Sequence, residues 1–165
     1  MNSLNMKPFP GKCLLGLILL MQFTGCGPAV QLPEFSESLV PVEGIITFQK
    51  KPLIGAAVTF FPTGSNAVRA AYGLTDESGK YQVMTPISGI AAEKSMGVVP
   101  GTYSVIISCL EMPDGSAVPK EMTTAEAIEK GAREILPPKY SNEQRSVLKA
   151  EVQPKTPRTD MNFDL

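Results

Sequence analysis

Across residues 42–165, apolar and polar side chains alternate at every second position, and glycine or proline breaks each run within a few residues. In "VEGIITF", Val42, Gly44, Ile46 and Phe48 fall on one face and Glu43, Ile45 and Thr47 on the other. "AAVTFFP" turns Val58 and Phe60 the same way, and "GKYQVMT" does so with Tyr81 and Val83. "GTYSVIISC" aligns Tyr103, Val105, Ile107 and Cys109, while "DMNFDL" sets Met161, Phe163 and Leu165 opposite Asp160, Asn162 and Asp164. A period of two suits a pleated strand with one buried face, not a helix. The expectation is therefore all-β: an antiparallel, Ig-like sandwich of about seven strands. Pro52 and Gly55 punctuate the first hairpin and "DESG" the second. In that second turn Asp76 can accept backbone N–H bonds and Gly79 can take the left-handed conformation, while Gly101 is a turn residue opening the "GTYSVIISC" strand.

Residues 112–145 interrupt this pattern with a short helical insertion. Thr123 and Glu126 form a capping box, Ala125, Ile128, Ala132 and Ile135 recur at helical spacing, and Pro137 stops the run, which predicts a helix over about 124–136. On this reading those four residues dock inward, and Glu126, Glu129, Lys130, Arg133 and Glu134 face outward. Gly131 in mid-helix costs ~1 kcal/mol relative to alanine, so the helix depends on docking to the sandwich edge.

The beginning of the chain has a different character. Lys7 and Lys12 precede an apolar run through Met21 that is too short to span a bilayer and has the form of an export signal. It ends in "FTGC". Phe23, Thr24, Gly25 and Cys26 resemble the bacterial lipoprotein lipobox, with Phe23 in place of the usual Leu, Val or Ile. The resemblance implies a diacylglyceryl thioether on Cys26 and cleavage between Gly25 and Cys26. An ordinary signal peptide with an incidental cysteine and a retained membrane helix are the alternatives that these residues leave open. The expected organisation is a lipoprotein signal peptide (1–25), a lipid-anchored, proline-containing tether (26–41) and one β-sandwich domain (42–165). Localisation would be extracytoplasmic, on the periplasmic or cell-surface face of a membrane.

The chain has three cysteines. Cys13 would leave with the signal and Cys26 would carry lipid, so Cys109 would remain as a buried structural thiol; an unacylated Cys26 would instead be free to pair with it. Removing Lys7 and Lys12 leaves the 16 acidic side chains in slight excess. With no basic stripe and no tryptophan, a nucleic-acid partner is not expected. The chain also lacks histidine, which removes Ser-His-Asp and Cys-His catalysis and His-ligated zinc from consideration. Acidic pairs such as Glu111 with Asp114, or Asp76 with Glu77, read as solvated loop residues, and so does the Asp160, Asn162, Asp164 face. The alternative, oxygen ligation of Ca²⁺, would need six to eight ligands. No enzyme activity, cofactor or metal is expected.

"VEGIITFQKKPLIGAAVTFFP", "GLTDESGKYQV", "GVVPGTYSVII", "LPPKYSNEQRSVLKAEV" and "MNFDL" together resemble the carboxypeptidase regulatory-like domain, a prealbumin-like (transthyretin-like) sandwich, and in particular the small bacterial lipoproteins that carry it alone. The resemblance implies a non-catalytic accessory or display module. The expected role is a binding or structural module of the cell envelope, held to the membrane by its lipid and meeting an envelope protein through the insertion, with a passive lid that blunts strand pairing at the sandwich edge as the equal alternative for the insertion. The alternative is a carbohydrate or polymer binder using Tyr72 and Tyr140.

Overall fold

The computed structural model describes residues 33–64 and 69–165. Within them the strands are β1 (Glu43–Phe48), β2 (Lys51–Pro52), β3 (Ala57–Pro62), β4 (Ala71–Leu74), β5 (Lys80–Met84), β6 (Gly101–Ser108), β7 (Leu110–Glu111), β8 (Arg133–Glu134), β9 (Lys149–Val152) and β10 (Phe163–Asp164). Two short helices, α1 (Thr124–Glu129) and α2 (Pro138–Ser141), lie between β7 and β9. Eight strands form one curled sheet in the order β10-β1-β5-β4-β3-β6-β9, with β2 added to β1, while β7 and β8 pair separately. The fold is the all-β, sandwich-like arrangement that the alternation predicts. Pairing departs from antiparallel at the last strand, where Ile46 and Thr47 run parallel to Phe163 and Asp164.

The curl brings the inward rows together. Ile46, Tyr81 and Val83 pack in one core with Val58, Phe60, Val105, Ile107 and Val152, each an every-second residue of its strand. Phe60 meets Tyr103 edge-on at 5.8 Å between ring centroids, and Tyr81 stacks on Phe163 at 6.4 Å. A buried phenol needs a partner for its hydroxyl. Tyr81 donates to the Met161 carbonyl at 2.7 Å, and Tyr103 to the Val99 carbonyl four residues upstream at 2.6 Å, the tyrosine-corner arrangement of sandwich folds. Burial pushes the Tyr103 hydroxyl up to about 12 and raises that of Tyr81 well above the usual phenol range.

Three local expectations are corrected. The first hairpin turns at Gln49 and Lys50, between Phe48 and its partner Lys51, not at Pro52 and Gly55. Both residues have positive φ (51° and 66°), which makes a type I′ turn from side chains that ordinarily avoid it. The ordered domain also starts before residue 42. Glu34–Ser38 form a 3-10 turn, and Val40, buried, exchanges backbone hydrogen bonds with Val98 at 2.9 Å in both directions. Of the proposed tether, then, Val40 belongs to the core, and residues 26–32 lie outside the described part.

The third correction concerns the insertion. The capping box forms as expected, with Glu126 N–H donating to Thr123 Oγ1 and Thr123 N–H donating to Glu126 Oε2. The helix nevertheless ends at Glu129. Gly131, at φ +91°, closes it with a Schellman pair, Gly131 N–H to the Ile128 carbonyl and Ala132 N–H to the Ala127 carbonyl, both 2.9 Å. Ala127 and Ala132 are buried, whereas Ala125 is exposed and Ile128 is 57% exposed. Beyond the glycine the chain extends as β8 and pairs with β7, so Arg133, Glu134 and Ile135 are not helical.

Candidate functional site

Direct cross-strand partners point to the same side of a sheet. Across β4, β3 and β6, Leu74 pairs with Ala57 and Ala57 with Ser108, forming one outward row. The middle and end members of that row are small, so the floor dips beside Leu74. The bend at Ile54 and Gly55 and insertion residues Ala117, Val118, Pro119, Lys120 and Met122 complete the lining. Asp76 and Glu77 stand at the end formed by the β4–β5 turn. The result is an open groove of about 280 Å³ with a largely apolar lining. Ile54 and Leu74 are 46% and 53% exposed within it.

Glu134 fastens the returning end of the insertion to the end of β6. Its Oε2 accepts from Ser108 Oγ at 2.6 Å, and its Oε1 accepts from the backbone N–H groups of Cys109 (3.0 Å) and Leu136 (2.9 Å). The residue expected on an outward helical face is instead a clamp between the end of β6 and the returning insertion. Its neighbour Cys109 is buried, and its thiol approaches the Ile54 carbonyl at 3.6 Å. Burial, with lesser contributions from Glu134 and Glu111, pushes this thiol up to about 11, which suits a packed side chain more than a nucleophile.

The other sequence-predicted residues sit as follows. Asp76 Oδ1 accepts from Ser78 N–H (2.8 Å), Ser78 Oγ (2.7 Å) and Lys80 N–H (3.0 Å), and Gly79, at φ +75°, completes the turn. The Ser78 bonds hold the Asp76 carboxyl below its ordinary value. Gly101 is the first residue of β6, opposite Val152. Asp160, Asn162 and Asp164 share a face but serve different partners: Asp160 pairs with Arg158 at 3.1 Å, Asn162 Oδ1 accepts from Ile45 N–H, and Asp164 Oδ1 accepts from Thr47 Oγ1. Among the described residues, no three His, Cys, Asp or Glu side chains converge as a metal site would require. Tyr140 is half-buried against the core with Lys139 over its ring at 4.6 Å, and Tyr72 is exposed on β4; neither lines the groove. Gly25 and Cys26 lie outside the described residues.

Sequence reasoning missed Ile54, Leu74, Val118 and Met122. One signal was present in "AYGL". There the alternation is inverted in size, with Ala71 and Gly73 on the inward side and Tyr72 and Leu74 outward, so β4 spends its large side chains on the solvent face. No protein-family model matches the chain, and no curated protein or solved structure does so.

Proposed function

We propose that this chain is a non-catalytic, lipid-anchored module of the cell envelope, displayed outside the cytoplasmic membrane, which uses the groove between β4 and the insertion to hold a protein partner. Support for the anchor comes from the sequence: the cationic flank, the short apolar run, and Thr24-Gly25 ahead of Cys26. Support for binding comes from the groove, since an exposed, largely apolar depression with charged residues in its lining is characteristic of an interaction surface. The observation that carries the reading is the exposure of Leu74, on the outward face of the sheet, and of Ile54, in the bend before β3, within one depression. The prealbumin-like, carboxypeptidase regulatory-like resemblance belongs to this proposal and agrees with a module that displays instead of catalysing. The polymer-binding alternative draws less support, because its two tyrosines do not line the groove.

Two variants test the proposal. Cys26→Ser should abolish incorporation of radiolabelled palmitate and shift the protein from the membrane pellet to the soluble fraction; label kept by the variant overturns the anchor. Leu74→Asp, at an exposed position, should leave the melting temperature unchanged while removing partners recovered with the parent protein from solubilised membranes. Retention of every partner overturns the groove.

A further inference from the structure

The groove and the segment through which the chain enters the domain lie at opposite poles of the sheet. β3, β4 and β6 run side by side, with Ala57 against Leu74 and Ser108 at one pole, and Phe60 against Ala71 and Pro62 against Tyr103 toward the other. The groove is built at the first pole, on Ala57, Leu74 and Ser108. The entering segment is seated at the second. Glu34 and Glu37 share a depression with Pro100 and Pro154, beside the paired strand ends Gly101 and Val152. The Arg69 guanidinium, just ahead of β4, lies 5.0 Å from the centre of the Phe35 ring. Between the poles, β6 alone (Gly101–Ser108) spans about 23 Å at ~3.3 Å per residue.

We infer that the anchored domain stands with its Pro33 pole toward the bilayer and its groove pole away from it, so that a partner meets the groove in the aqueous layer and not at the lipid surface. This deepens the proposed function and rests on it through the lipid on Cys26. Residues 26–32 are the leash between that lipid and Pro33. Fully extended they reach at most about 25 Å, and a random coil of the same length has a root-mean-square span of about 15 Å. With the Pro33 pole toward the bilayer the leash is slack. Inverting the domain would lift Pro33 by at least the length of β6, about 23 Å, and stretch the leash to its limit, which removes nearly all of its conformational freedom. That cost falls on the inverted arrangement alone.

The test uses the lipidated protein purified from membranes and reconstituted in phosphatidylcholine vesicles that carry a headgroup-labelled acceptor lipid. A donor dye is attached through Glu77→Cys, in the groove, or through Gln153→Cys, beside the Pro33 pole. Both positions are exposed, and the parent, whose Cys109 is buried, supplies the blank. Energy transfer to the bilayer should be about 2-fold or more greater from position 153 than from position 77, because the groove stands a strand length farther out. Inserting about 30 Gly-Ser residues after Leu32 should erase the difference, since a coil of that length spans more than the distance between the poles. Equal transfer from the two positions, greater transfer from position 77, or a difference untouched by the longer leash overturns the inference. Palmitate label kept by Cys26→Ser overturns the anchor and the orientation together. If that label is lost and Leu74→Asp still strips partners while the two positions transfer equally, the proposed function stands and only the orientation falls.

Discussion

Gly79 meets two demands with one missing side chain. Its φ of +75° lies in the left-handed region, and a Cβ there would stand 2.6 Å from the Ile46 carbonyl oxygen and 3.2 Å from the Leu53 nitrogen. The conformation alone makes Gly79→Ala cost about 1–3 kcal/mol, and the backbone contact adds to it because neither strand can retreat without losing its pairing. Urea unfolding measures this as a lower midpoint at constant slope; an alanine variant as stable as the parent contradicts the geometry. Asp76 is tied to the same turn through charge. Its carboxyl titrates below the ordinary 3.8 in the folded protein, chiefly because Ser78 donates to it. A depressed folded value means that the stabilisation is present above the unfolded value and is lost as pH falls through the folded one. Asp76→Ala should therefore destabilise at pH 7, and the gap from the parent should narrow below about pH 4. A gap independent of pH would show that the carboxylate is not the source.

Two turns show why element boundaries were harder to read than element faces. The period-two pattern identified the inward residues of β1, β3, β5 and β6 because burial acts on every second side chain and repeats along the strand. The β1–β2 turn depends instead on two backbone torsions, and "QK" carries no marker for them. Replacing Gln49-Lys50 by Asn-Gly should stabilise the domain by about 1 kcal/mol by removing strain from both positions, read from the urea midpoint; a loss of stability would refute the I′ assignment. In the insertion, Ala125, Ile128, Ala132 and Ile135 satisfied a helical period on both sides of Gly131, so spacing alone ran the helix past its cap. The decisive signal was the glycine followed by a small apolar residue, which matches the buried Ala127–Ala132 pair. Gly131→Ala should cost about 1 kcal/mol, since alanine is strained at φ +91° and its Cβ would press on Pro113 at 3.2 Å. A variant that gained stability would favour the longer helix.

At the scale of the molecule, the sandwich was legible and the groove was not, for a common reason. A core is written locally, in the alternation along each strand. The groove is made by residues distant in sequence, Ile54, Leu74, Ser108 and Met122, brought together by strand order and by the path of the insertion. Even the clamp was hidden, because one glutamate among several on a presumed helical face has no distinguishing neighbour. The proposed anchor is the reverse case, resting on a dozen residues and independent of the fold. On the proposed function, a membrane-tethered sandwich meets its partner on the face carrying Leu74. A photo-crosslinking residue placed at position 74 of the chain in intact cells tests this most directly, with the same residue at the exposed position 151 on β9 as control. Discrete adducts in the membrane fraction from position 74 and none from position 151 are predicted; equal adducts from both positions, or adducts from 151 alone, would contradict it.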